Sequence, residues 1–162
     1  MFSNIAMAQI TGGALKPDIR GVVYFIQVPG GTEVQVVVHG LPGYQPAQGN
    51  KPPVGPHGFH IHEMGQCAPT DGTEPFKGAG EHWNPTKQPH GNHAGDFPVL
   101  FSNNGYARMT FFTNKFIPAQ VIGKTVIIHE SPDDYRTQPS GASGRRLACG
   151  VIGPYVRTAY PW

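Results

Sequence analysis

Charge is scarce in this sequence. Only 14% of its 162 residues are Asp, Glu, Lys or Arg, and the net charge is +2 with histidine neutral. There is no basic run and no stripe of Lys and Arg interleaved with aromatics, so nothing in the composition points to nucleic acid. Apolar runs stay far below the roughly 20 residues that a bilayer-spanning helix needs. Residues 1–11 lack a basic start followed by an apolar stretch, so no secretory leader is legible there. Cysteine is limited to Cys67 and Cys149, with no Cys-x-x-Cys pair. Two readings are open for them: a pair of buried thiols, or one disulfide closing a long loop. Segments free of Gly and Pro are short, and the longest, Tyr106–Ile117, carries a Phe-Phe-Thr run that favours strand over helix.

Gly (22) and Pro (17) make up about a quarter of the chain, near the level at which low-complexity composition begins. The segments between them are regular and strand-sized, which argues against disorder. Strand-like runs fall at Ile5–Ile10, Gly21–Val28, Glu33–His39, His57–Glu63, Phe97–Ser102, Tyr106–Thr113, Thr125–Glu130 and Leu147–Ile152. Gly12-Gly13, Pro29-Gly30-Gly31 and Asn103-Asn104-Gly105 are turn signals, the last with hairpin chemistry. Such punctuation predicts a single all-β domain over 1–162, an eight-stranded sandwich or barrel. Two long irregular segments, Met64–Asp96 and Ser131–Arg146, read as functional loops.

Six of the eight histidines fall in an ordered series with one aspartate: His60-x-His62, His82, His90, His93-x-x-Asp96, then His129. On a strand, positions i and i+2 share a face, so His60 and His62 can reach one ion together. His82, His90, His93 and Asp96 sit in a Gly/Pro-rich loop, where the backbone can bend to bring side chains to a point. Imidazoles with one carboxylate and no sulfur suit zinc or copper. Any one of these histidines alone reads as structural; their order reads as two metal sites sharing a ligand. Metal would then supply the ordering that the loop lacks in apolar residues. His39 and His57 read as structural. Amidohydrolase barrels also use His-x-His but need about 250 residues, and a cupin has no place for the His90/His93/Asp96 group.

Longer motifs sharpen the reading. Gly58-Phe-His-Ile-His-Glu63, Gly80-Glu-His-Trp-Asn-Pro85, His90-Gly, His93-Ala-Gly-Asp96, Ile128-His-Glu130, Asp133-Asp134 and Gly144-Arg-Arg-Leu-Ala-Cys-Gly-Val-Ile-Gly153 occur in that order. Together they resemble the copper/zinc superoxide dismutase family, collinearly from about Val22 to Gly153, with 154–162 as a C-terminal extension. The resemblance implies a Greek-key arrangement of the strands, copper ligands His60, His62, His82 and His129, and zinc ligands His82, His90, His93 and Asp96. His82 would bridge the metals. Asp133 would link a copper-side histidine to a zinc-side one, Arg146 would receive the anionic substrate, and Cys67 and Cys149 would form a disulfide.

The activity so implied is dismutation of superoxide to dioxygen and hydrogen peroxide, with Arg146 and His82 as catalytic residues. The alternative is a non-enzymatic domain of the same fold that carries copper or is stabilised by zinc; the complete ligand set favours the enzyme. The Ser131–Arg146 loop lacks the Lys/Glu-rich motif of the animal enzymes and follows the shorter bacterial pattern. That loop, with the implied disulfide, points to the cell envelope or exterior, with the cytoplasm as alternative. A homodimer is a further expectation.

Overall fold

The computed structural model describes residues 4–68 and 75–156. Among the described residues there are two short 3-10 turns (Lys77–Ala79 and Pro118–Gln120) and seven strands: β1 (Ile5–Gly12), β2 (Arg20–Val28), β3 (Gly31–His39), β4 (Phe59–His62), β5 (Ala107–Thr113), β6 (Thr125–His129) and β7 (Arg146–Pro154). They form one antiparallel sheet in the order β4-β6-β7-β1-β2-β3-β5. Side chains alternate across a strand, and β3 shows the consequence: Val34, Val36 and Val38 are fully buried while Glu33, Gln35 and Val37 between them are half-buried. The sheet curls around one core, to which Ala8, Phe25, Val36, Phe59, Ile128 and Ile152 contribute from different strands.

The expected strand Phe97–Ser102 is absent as such, so the sheet has seven strands rather than eight. This segment still runs beside β4. His57 and Leu100 exchange backbone hydrogen bonds of 2.8 and 2.9 Å, and a further bridge pairs His60 with Asp96. Pro98 brings no N–H to a ladder, which limits the pairing to isolated bridges. Of the expected extension, 157–162 lies outside the described residues; Pro154 ends β7 and the Tyr155 N–H donates to the Ile5 carbonyl.

Strand β4 is buried on both faces and flanked on both edges. On one side β6 pairs Ile127 with His60 and Thr125 with His62. On the other, the long loop brings Asp96 beside His60 and His82 beside His62. The β6–β7 register shifts between Ile128 and His129, after which His129 pairs with Arg146. Bulges re-aim side chains, and past this one His129 lies across from Arg146 and beside Gly58, at the start of β4.

Candidate metal centre

Two sets of donors converge. His60, His62, His82 and His129 each bring one ring nitrogen within 4.8 Å of the others, and His82, His90, His93 and Asp96 do the same with their ligand atoms. His82 belongs to both. All six histidines are buried. Alternation along β4 explains the first pair: His60 and His62 face the donors while Phe59 and Ile61 enter the core. The other four donors are held by bends in the loop and by the bulge before His129.

The outer nitrogen of most of these rings is held by an oxygen that can only accept. His62 Nδ1 donates to the Gly80 carbonyl (2.8 Å) and His129 Nδ1 to the Gly144 carbonyl (3.3 Å). His60 Nε2 and His90 Nε2 donate to the two carboxylate oxygens of Asp133, at 2.6 and 2.8 Å. Protons on the outer nitrogens leave lone pairs on the inner ones. His60 Nδ1, His82 Nε2, His90 Nδ1 and His93 Nδ1 are buried and make no hydrogen bond. His62 Nε2 faces His129 Nε2 at 3.3 Å; with both protons outside, two lone pairs meet with no hydrogen between them. Nitrogens bound at about 2 Å to one ion stand roughly 3–4 Å apart. The donors therefore fit transition-metal cations, and the outer oxygens fix tautomer and ring orientation as such sites require.

Asp96 completes the second set. Its Oδ1 lies 3.0 Å from His82 Nδ1 and 3.3 Å from His93 Nδ1, and its Oδ2 is 3.3 Å from His90 Nδ1. The backbone N–H groups of Gly91 and His93 both donate to Oδ2 at 2.9 Å, so the carboxylate is aimed before any ion arrives.

Electrostatics follow from burial. His60 and His62 are held well below the ordinary imidazole value, by desolvation first and then by repulsion from neighbouring histidines. His129 is pushed down to about 3 by burial and, after it, by His82. His93 is lowered as well, again chiefly by burial. Burial works to raise Asp96, but its hydrogen bond to His82 and the charges of His90, His82 and His93 outweigh it and hold the carboxyl well below its usual range. The lowered imidazoles are therefore neutral near pH 7, the form a ligand must have.

Arg146 reaches the same region. Its Nη1 donates to the Phe76 carbonyl at 2.8 Å and its Nη2 to the Gly80 carbonyl at 2.7 Å. Gly80 thus holds both His62 and Arg146. The Cys67–Cys149 disulfide spans 82 positions and ties the loop carrying Phe76 to β7 three residues beyond Arg146. His57 lies beneath, donating from Nδ1 to the His129 carbonyl at 2.9 Å. His39 stands apart, its ring 4.8 Å from that of Tyr106. Arg145 makes a bidentate pair with Glu130 at 2.8 and 2.6 Å.

The sequence assigned no role to Gly80, Gly141, Gly144 or Tyr135, although Gly80 and Gly144 open two of the motifs above. Gly80 and Gly144 act through carbonyl oxygens, which have no side-chain signature. Gly141 acts through the absence of a side chain: a Cβ there would lie 1.9 Å from Asp133 Oδ1 and 2.5 Å from His90 Nε2, and its φ is +68°. No spacing rule announces such a contact.

Comparison with known proteins agrees with this geometry. The family model described as copper/zinc superoxide dismutase matches residues 19–152. A superoxide dismutase [Cu-Zn] of Deinococcus radiodurans is 35% identical over 151 residues, covering 83% of this chain and 77% of that protein. Superoxide dismutase [Cu-Zn] 1 of Aquifex aeolicus is 38% identical over 119 residues, covering 64% and 68%. Among solved structures, a Cu/Zn superoxide dismutase from Brucella abortus superposes with a TM-score of 0.72 at 29% identity, covering 91% of this chain and 98% of its own.

Proposed function

This chain belongs to the copper/zinc superoxide dismutase family, and from that premise we infer that its two donor sets hold one copper and one zinc and that it converts superoxide to dioxygen and hydrogen peroxide. The observation that carries the reading is the pair of four-donor sets sharing His82, with inner lone pairs unpartnered. Copper is assigned to His60, His62, His82 and His129, and zinc to His82, His90, His93 and Asp96. When bound, copper supplies a one-electron couple and zinc a fixed positive charge on the shared imidazole.

The chain's own residues do the rest. Two superoxide anions and two protons yield one dioxygen and one hydrogen peroxide. Arg146 meets the small monoanion with a guanidinium charged at any working pH, aimed by the Phe76 and Gly80 carbonyls. His82 offers Nε2, buried and without a hydrogen bond, as a place to hold and release a proton, while its Nδ1, 3.0 Å from Asp96 Oδ1, faces the donor set that would hold zinc. Asp133 keeps His60 and His90 in a fixed relation through its two oxygens.

The test is superoxide decay by stopped flow, comparing protein loaded with copper and zinc with a zinc-only control. Fast, copper-dependent decay that slows with added salt supports the reading, since field-steered encounter is screened by ions. Decay no faster than the control, with copper confirmed bound, overturns it. We further assign the protein to the cell envelope or exterior, supported by the disulfide; finding Cys67 and Cys149 reduced in freshly trapped cells would count against that. A homodimer is proposed as well. Analytical ultracentrifugation decides it.

A further inference from the structure

We propose that Tyr135 is a positioning residue for the metal centre, a strut holding Asp133 at a set distance from the segment that leaves Asp96. The proposal rests on the two-metal reading above. Tyr135 lies two residues past Asp133 in the second long loop. Its backbone N–H donates to Asp133 Oδ1 at 2.7 Å, the same oxygen that accepts from His90 Nε2 at 2.8 Å. At the far end of the side chain, the phenolic oxygen accepts from the Val99 N–H at 2.9 Å and donates to the Phe97 carbonyl at 3.1 Å. Phe97 directly follows Asp96. One residue therefore grips the carboxylate between His60 and His90 and also the strand-like segment that begins at Asp96.

Three observations separate this from ordinary packing. The residue is 40% exposed, so it stands partly in solvent while its hydroxyl is bonded at both sides to the 97–99 segment. Its φ of +57° lies in the left-handed region, uncommon for an aromatic residue. That turn lets the N–H face Asp133 while the ring runs back to Val99. Finally, its carbonyl abuts the first long loop: a Cβ at Gly91 would stand 2.4 Å from it. Tyr135 thus meets Asp133, the 97–99 segment and the turn between His90 and His93. Orientation of metal-bound imidazoles by an outer partner is worth about 10- to 100-fold in metal affinity, and a strut that sets that partner inherits part of this effect.

The experiment times zinc release from the copper- and zinc-loaded protein to excess chromogenic chelator. Wild type, Tyr135→Phe, Asp133→Asn and the double variant are compared, together with urea unfolding of each metal-free, disulfide-intact form. Removing the hydroxyl in Tyr135→Phe is expected to speed release about tenfold. In the Asp133→Asn background the same change is expected to have much less effect, because residues acting as a unit are non-additive. An equal acceleration in both backgrounds overturns the proposal. So does no acceleration, or one matched by an equal loss of metal-free stability. A wild-type chain that takes up no zinc overturns the two-metal reading itself, and the strut with it.

Discussion

Arg146 and Gly141 show two ways in which a single residue serves the centre. Arg146 carries a permanent charge and is aimed by two backbone carbonyls. Replacing it with Ala is expected to lower kcat/KM at least about tenfold through lost attraction and docking of the anion. Copper content should stay at the wild-type level. Elemental analysis of the variant checks this, and copper loss would refute the role assigned. Gly141 contributes space. Ala at this position would drive a methyl against Asp133 and His90 at a φ of +68°, so zinc affinity is expected to fall about 10- to 100-fold in a competition titration. Gly153→Ala is the control, since a Cβ there meets nothing within 4 Å; it should leave zinc affinity unchanged. The ligand histidines were legible in the sequence because side-chain type and spacing carry metal chemistry directly. Gly141 and Gly80 were not, since a missing Cβ or a carbonyl gains meaning only from what approaches it.

Elements set where the donors meet. Strand β4 could be read from His60-x-His62 alone, because its period of two follows from backbone geometry. Segment 97–102 could not. Its apolar residues resemble a strand, and its position beside β4 is strand-like, yet Pro98 interrupts the ladder. The disulfide acts at the same scale. It joins the loop bearing the Phe76 and Gly80 carbonyls to β7, close to Arg146. Cys67→Ser with Cys149→Ser is expected to cost about 4 kcal/mol of stability, from loop-closure entropy over a span of 82 positions. It should also reduce kcat/KM with metals still bound, because Arg146 loses its fixed carbonyl partners. Urea unfolding and steady-state kinetics on metal-loaded protein test the two halves separately. Wild-type kcat/KM in the double variant would show that the loop holds Arg146 without the bond.

Over the whole molecule, burying several neutral imidazoles links stability to pH. His60, His62 and His129 bind protons less readily in the folded state than in the unfolded chain. Below about pH 6.5 the unfolded chain therefore takes up more protons, and acid favours it. The stabilisation is complete above that value and is lost as pH falls toward about 3, where His129 titrates. Asp96, lowered in the fold, adds to the loss below about pH 4. The metal-free protein is expected to melt at steadily lower temperature from pH 6.5 downward; a flat melting profile to pH 4 in calorimetry would contradict this. Metal should raise the midpoint and steepen its acid dependence, since ions and protons compete for the same nitrogens. By itself the sequence determined the β class, the two long loops, the seven donors and their order, because alternation, turn chemistry and ligand type are local properties. The family resemblance already implied His82 as the shared donor and Asp133 as the link between two rings; only the tertiary structure decided the distances at which they meet, and that Tyr135 spans from that carboxylate to the Asp96 segment. Those relations join residues tens of positions apart, and only chain packing sets the distances between them.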